Sequence, residues 1–251
     1  MNASRASRRA VAKTLRRSEH VVATVNGGDV VLMDLRRGQY HTLNAVATRV
    51  WELLAFNTSI DAIVEGIRTE FALPTGMAAD AIRTDIESIL DDWWHADMLV
   101  DASLPTQRAA GHAATRARPS KAQDSPRPLE CALLIAAIKA RLRFRGVEET
   151  LHWIRRARRA PIIETDRRDE MVRAADTAVA RAAAFYPGRA QCLERSLVLW
   201  HTLLHRGIDA MLCLGVHTDP FKAHAWVEYD GRPANEVPEY LDHYLRFPPL
   251  G

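Results

Sequence analysis

Apolar residues recur along this chain with two different periods, and the switches between them mark its organisation. Residues 20–25 and 30–35 alternate as strands around the turn Asn26-Gly27-Gly28, and Arg36-Arg37-Gly38 turns the chain again into residues 39–43. The period then lengthens. Asn44 caps a helix carrying Val46, Val50, Leu53 and Leu54, and Thr58 or Ser59 caps a second with Ile60, Ile63, Val64, Ile67 and Phe71 on one face. Pro74 and Gly76 interrupt the pattern, after which a third helix running to about Trp94 turns Ile82, Ile86, Ile89 and Trp93 inward. Three strands followed by three helices predict a winged-helix-like module over residues 20–100, preceded by a basic arm at 1–18.

Residues 103–127 are rich in Ala, Pro, Ser and Arg and have no apolar periodicity, so they read as a linker between a first domain at 1–102 and a second at 128–251. The second begins with helices. Residues 129–142 are apolar at helical spacing, Leu151 and Ile154 mark another short helix, and an Ala-rich helix at 171–185 ends at Pro187-Gly188. Leu193, Leu197, Trp200 and Leu204 then form the stripe of a packed helix that begins beside Cys192 and stops at Gly207. Residues 208–216 are almost continuously apolar, as a strand covered on both faces must be. Residues 223–229 alternate, with His224, Trp226 and Glu228 on one face and Ala225, Val227 and Tyr229 on the other, before Asp230-Gly231 turns the chain toward Asn235 and Glu236. Helices first, a cysteine on the last of them, then an antiparallel sheet carrying a histidine: this is the order of papain-like and transglutaminase-like folds. The fold class expected for the whole is α+β.

Composition narrows the function. An apolar fraction of 47% supplies ordinary cores, and a net charge of +3 is mild. Arginines cluster at Arg5, Arg8, Arg9, Arg16 and Arg17, and again at Arg155, Arg156, Arg158 and Arg159, which reads as solvated helix faces. The third helix of the first module carries Asp80, Asp85, Glu87, Asp91 and Asp92, which would repel phosphate, so no nucleic-acid partner is expected. Three cysteines without regular spacing are no disulfide framework and favour a reducing cytoplasm. The basic N-terminus lacks the apolar stretch of a secretory signal, and the longest apolar run, 129–138, is too short for a bilayer, so no integral membrane segment is expected. Cys213, His217 and His224 match no standard zinc spacing; no metal and no cofactor is expected.

The chemistry concentrates at Cys192. Unpaired N–H groups and the dipole at a helix N-terminus favour thiolate, and a base within reach completes the activation of a nucleophile. His224 on a neighbouring strand is the candidate base, oriented by a third polar side chain; Cys213, on an apolar strand, reads as core. Two residues compete for the third place. A two-residue turn at Asp230-Gly231 sets Trp226 opposite Asn235 and puts Asn235 on the His224 face, whereas a three-residue loop over Tyr229-Asp230-Gly231 sets His224 opposite Glu236.

Two longer motifs carry resemblances to known families. VVLMDLRRGQYHTLNAVATRVWELL, with its D-L-R-R-G-x-Y turn, L-N helix start and V-W-E-L-L, resembles the peptide-recognition domain of ribosomal-peptide maturation systems, the fold of the pyrroloquinoline-quinone chaperone protein. In that family a precursor's leader pairs with the third-strand edge and lies against the third helix. Carried here, this implies docking at Gln39, Tyr40, His41, Thr42 and Leu43 and at the helix bearing Ile82 and Ile86. C-L-x-R-S-L-x-L, then L-x-x-R-G-I, then P-F-x-A-H-A-W-V-E-x-D-G is similar to the transglutaminase-like protease family of lasso-peptide biosynthesis, which in one arrangement is fused to that recognition domain in this order. The resemblance implies leader removal by Cys192 and His224, with a separate ATP-using, asparagine-synthetase-like cyclase closing the ring. The family's third member is usually an aspartate and aligns with Glu236, which favours Glu236 and the three-residue loop; Asn235 stays the alternative. Outside that reading stand a noncatalytic adaptor that presents the precursor, and acyl transfer to an amine through the same thioester.

Overall fold

A three-stranded antiparallel meander and three helices make up most of the N-terminal unit. The structure is a computed structural model that describes residues 15–26, 29–56, 59–71, 79–102, 126–159, 165–188 and 190–250. The chain divides into two compact units, Met1–Asp34 with Gln39–Ala110 and Leu35–Gly38 with Gly111–Gly251. In the first, β1 (Leu15–Arg17), β2 (Val21–Asn26), β3 (Asp29–Asp34) and β4 (Gln39–Leu43) precede α1 (Ala45–Leu53), α2 (Ile60–Glu70), α3 (Ala79–His95) and β5 (Leu99–Asp101). The sheet order is β2-β3-β4, which leaves β4 at an edge. Central β3 buries Val30, Val31, Leu32 and Met33 together, as a strand covered on both faces does.

The helix starts form for the reasons read from the chain. Asn44 accepts from the Ala47 N–H at 2.9 Å and Ser59 from the Ala62 N–H at 3.3 Å, each satisfying an amide the first turn leaves unpaired. The core fills with Leu32, Val50, Leu54, Ile63 and Ile67, and with Trp51 and Trp93 meeting edge to face at 5.3 Å. One expectation fails here. Residues 15–17, expected in a basic arm, are β1 and pair antiparallel with β5, Leu15 in register with Asp101. Leu15 is buried in the core, and the Arg17 guanidinium lies 4.9 Å over Trp51 while donating to its carbonyl at 2.9 Å. An arginine-rich run conceals such a strand because the guanidinium stems themselves provide packing. Residues 1–14 and most of the expected linker lie outside the described residues.

The second unit begins with α4 (Pro128–Arg156), broken at Gly146, whose φ of 77° and ψ of −178° no other helix residue adopts cheaply. This is the expected pair of helices. α5 (Thr165–Phe185), α6 (Cys192–His205), β6 (Met211–Thr218), β7 (Phe221–Tyr229), β8 (Arg232–Pro233), α7 (Pro238–Leu241) and β9 (Leu245–Arg246) follow. α6 is the hub, packed by α4, α5 and β7. Its residues Leu197, Val198, Leu199, Trp200 and Leu203 are almost wholly buried, and Ala175, Ala178 and Ala182 on α5 are small enough to bring that helix close. Burying side chains of this size contributes about 1.5–3 kcal/mol each before entropy is subtracted.

The sheet order is β8-β7-β6-β9, antiparallel throughout, so β6 is flanked on both sides. Residues 208–210, expected in that strand, lie before it; the Ala210 carbonyl instead accepts from the buried Trp200 indole at 2.8 Å. Among the described residues no helix is long and apolar enough to cross a membrane.

Candidate active site

α6 starts at Cys192 and the chain around that start is tightly held. Glu194 accepts from the Gln191 backbone N–H, reaching back as the third helical residue of a capping box does, and Lys139 of α4 meets the same carboxylate at 3.1 Å. One turn on, the Ser196 hydroxyl donates to the Ala225 carbonyl at 2.8 Å, which pins α6 against β7 beside His224. The helix start and the strand are therefore locked together where the thiol and imidazole meet.

There the Cys192 thiol stands beside the His224 side chain and the backbone N–H groups of Ala225 and Leu193. Nε2 of His224 lies 3.0 Å from Oε1 of Glu236, so Nδ1 is the nitrogen on the cysteine side. Burial pushes the Cys192 thiol up, but the His224 bond and charge and the two N–H groups outweigh it and leave it below its ordinary value. His224 moves oppositely. Burial pulls it down, while Cys192 and Glu236 together raise it above the usual imidazole value. The two shifts converge, each favouring the charged form of its group, and the two groups titrate as a unit. The other cysteines go the other way: burial raises Cys131, and burial with neighbouring Glu228 pushes Cys213 up to about 12.

The hairpin corrects the expected register while keeping the expected residue. Its turn is the two-residue form, with Glu228 opposite Pro233, Tyr229 opposite Arg232, and positive φ at Asp230 (50°) and Gly231 (70°), as a type I′ turn requires. Asn235 nevertheless does not meet His224. Its Oδ1 accepts from the Val227 N–H at 2.8 Å, and its Nδ2 donates to Ser196 at 3.2 Å. β8 ends at Pro233, so the chain bends away from the ladder and delivers Glu236 to the imidazole. Register counting assumes a strand that continues; this one does not.

The surroundings include residues that the sequence did not single out. Tyr240 meets the His224 ring edge to face at 5.5 Å, Tyr244 lies 5.4 Å from it, and the two phenol oxygens are 2.8 Å apart. Their i, i+4 spacing just after Glu236 is the signal that could have found them. Behind His224, the Trp226 indole donates to Glu228 at 3.0 Å, and Arg246 donates to the same carboxylate at 2.6 Å. Gly215 makes room for Trp226, since a Cβ there would stand 3.0 Å from the indole. Asp176 on α5 is raised by burial, with Arg195 opposing and Glu236 adding to the shift.

The expected leader-docking residues divide. Gln39–Leu43 is β4, an edge strand, with Gln39 and Thr42 exposed, Tyr40 and His41 half-buried and Leu43 inward. Ile82 and Ile86 are 6% and 1% exposed within the core, so they are corrected from docking contacts to packing residues. An apolar helical stripe is what a core-facing side looks like, and nothing in its spacing distinguishes a ligand from a sheet.

Comparison with known proteins matches both units. The transglutaminase-like superfamily matches residues 134–247, and coenzyme PQQ synthesis protein D (PqqD) matches residues 29–99. The microcin J25-processing protein McjB of Escherichia coli is 43% identical over 54 residues, 22% of this chain and 26% of McjB, so the chain matches about a quarter of that relative's length. The solved structure of TbiB1 in complex with the TbiA(beta) leader peptide is 26% identical, covers 39% of this chain and 98% of that one, and has a TM-score of 0.31. The chain thus joins a PqqD-like domain to a transglutaminase-like domain, and is similar in part to a peptide-processing protein.

Proposed function

We propose that this chain is a leader peptidase of lasso-peptide biosynthesis: its PqqD domain binds the leader of a precursor peptide and its transglutaminase-like domain cuts the leader off. The observation that carries the reading is the single line of contacts from Cys192 through His224 to Glu236 at the start of α6. A partly similar protein that processes microcin J25 and the PqqD match support the peptide substrate.

The chemistry follows from the contacts. The Cys192 thiolate attacks the carbonyl carbon at the end of the leader, and the oxyanion that forms is stabilised by backbone N–H at the first turn of α6. As the C–N bond breaks, the imidazolium gives its proton to the departing nitrogen, leaving a leader thioester on Cys192 and a free amine on the released peptide. Water then attacks the thioester while His224 takes its proton, which returns the thiol and frees the leader as a carboxylate. Glu236 holds the imidazole's tautomer and stabilises its charged form throughout. A separate asparagine-synthetase-like cyclase then uses the freed amine. The thiol must stay reduced, which fits a reaction in the cytoplasm.

Cleavage of precursor followed by mass spectrometry tests this reading, with Cys192→Ala as the control. Cleavage that persists in Cys192→Ala rejects it, and a competing amine that appears on the leader product identifies acyl transfer instead. Leader docking is tested by His41→Pro and Thr42→Pro in the full chain. Neighbouring N–H groups of an edge strand point oppositely, so one proline should weaken leader binding about tenfold and the other should mainly lower the melting temperature. Unchanged leader affinity in both moves the docking surface off β4.

A further inference from the structure

The segment after Glu236 presents an apolar surface beside the reacting groups. Tyr244 is 9% exposed and holds the Tyr240 hydroxyl at 2.8 Å, whereas Tyr240 itself is 47% exposed and Val237 60%. A large aromatic ring fixed by a hydrogen bond, in edge contact with His224, and still half open to solvent is not a packing residue. Val237 adjoins Glu236 in the chain and Tyr240 touches the His224 ring, so both open side chains belong to the surface around the His224–Glu236 pair.

Proton transfer decides which part of a peptide passes there. The acyl carbon becomes bonded to Cys192, so the leader lies on the α6 side. The departing nitrogen must come within hydrogen-bond reach of the imidazolium, so the chain beyond the cut leaves across His224. Resting on the peptidase reading above, we propose that Val237 and Tyr240, backed by Tyr244, form the subsite for the first residues of the released peptide. It takes an apolar or aromatic side chain at or next to the new amine. The PqqD domain then selects the leader, and this short segment selects the residues beyond the cut.

Two substrates with one acyl part test the assignment. After the cut site is read by mass spectrometry of wild-type products, full-length precursor is compared with the leader ended there as a methyl ester, whose methanol leaving group is too small to touch the subsite. Wild-type turnover of neither substrate overturns the peptidase reading itself. Given turnover of both, Tyr240→Ala and Val237→Asn should each lower kcat/KM for precursor about tenfold more than for the ester, the size expected for one apolar contact. Tyr240→Phe, which keeps the ring, should preserve the wild-type ratio. An equal fall on both substrates in Tyr240→Ala and Val237→Asn would mean that the segment acts only through His224, and no fall on either would mean that the released peptide does not touch it. Either result overturns the proposal.

Discussion

The two ends of α6 adjoin partly buried histidines with opposite electrostatics. At its start, His224 stands between a thiol and the Glu236 carboxylate and is raised above the ordinary imidazole value despite burial. Near its end, His201 is stacked 4.9 Å from Trp153 and 5.9 Å from His205, and burial first, then His205, Arg206 and Arg159, bring it down to about 4. Arg141 lies 4.8 Å over the same Trp153 ring. Burial lowers both imidazoles. Burial is the larger cause at His201, and the sign of the neighbouring charges then decides that His201 falls further while His224 rises.

The sharpest way to break the comparison is to remove the thiol. Cys192→Ala should lower precursor cleavage by roughly 10³-fold or more in single-turnover assays while leader binding stays near wild type. Glu236→Gln comes next. The amide keeps the tautomer but loses the negative charge, so the rate should fall roughly 10²-fold. The pH profile adds a sign. Wild-type activity needs Cys192 deprotonated and His224 protonated, so it should rise through the depressed thiol value and fall through the raised imidazole value. Without the Glu236 charge the falling limb should move to lower pH. A profile with an unmoved alkaline limb would remove Glu236 from the site.

Thiol reactivity sharpens the contrast within one sheet and helix layer. Iodoacetamide at neutral pH should label Cys192 selectively over Cys213, held up at about 12, and buried Cys131. Equal labelling of all three, read by peptide mapping, would contradict the thiolate. At the other end, folded His201 binds its proton only near pH 4, whereas the unfolded chain binds it near its ordinary 6.5. Its stabilising effect is therefore complete above about pH 6.5 and is lost as pH falls from 6.5 toward 4, by up to about 3 kcal/mol. Urea unfolding across that window should show the loss, and His201→Phe should flatten it. Asn235→Ala should have the smallest effect, about 1–3 kcal/mol of stability from the stranded Val227 N–H, read as a lower urea midpoint.

Local chemistry was legible wherever a short stretch of chain decides its own state. Asn44 and Ser59 cap the helices they were expected to cap, and the Ala-rich run at 171–185 lies within α5. Periodicity and capping act within a few residues, so the sequence carries them whole. The pairing of Cys192, His224 and Glu236 needed more, because the motif names the residues while only packing brings them together. Ser196 pins α6 to β7, and Asn235, the rival for the third place, is spent on Ser196 and Val227. The bend after Pro233 that hands Glu236 to His224 has no local signature. Leu15 within an arginine run was misread as part of an arm, whereas Ile82 and Ile86 are inward as their stripe requires and were given a docking role only by the family resemblance. Which side of a residue becomes interior is set by partners distant in sequence, and no spacing along the chain records them.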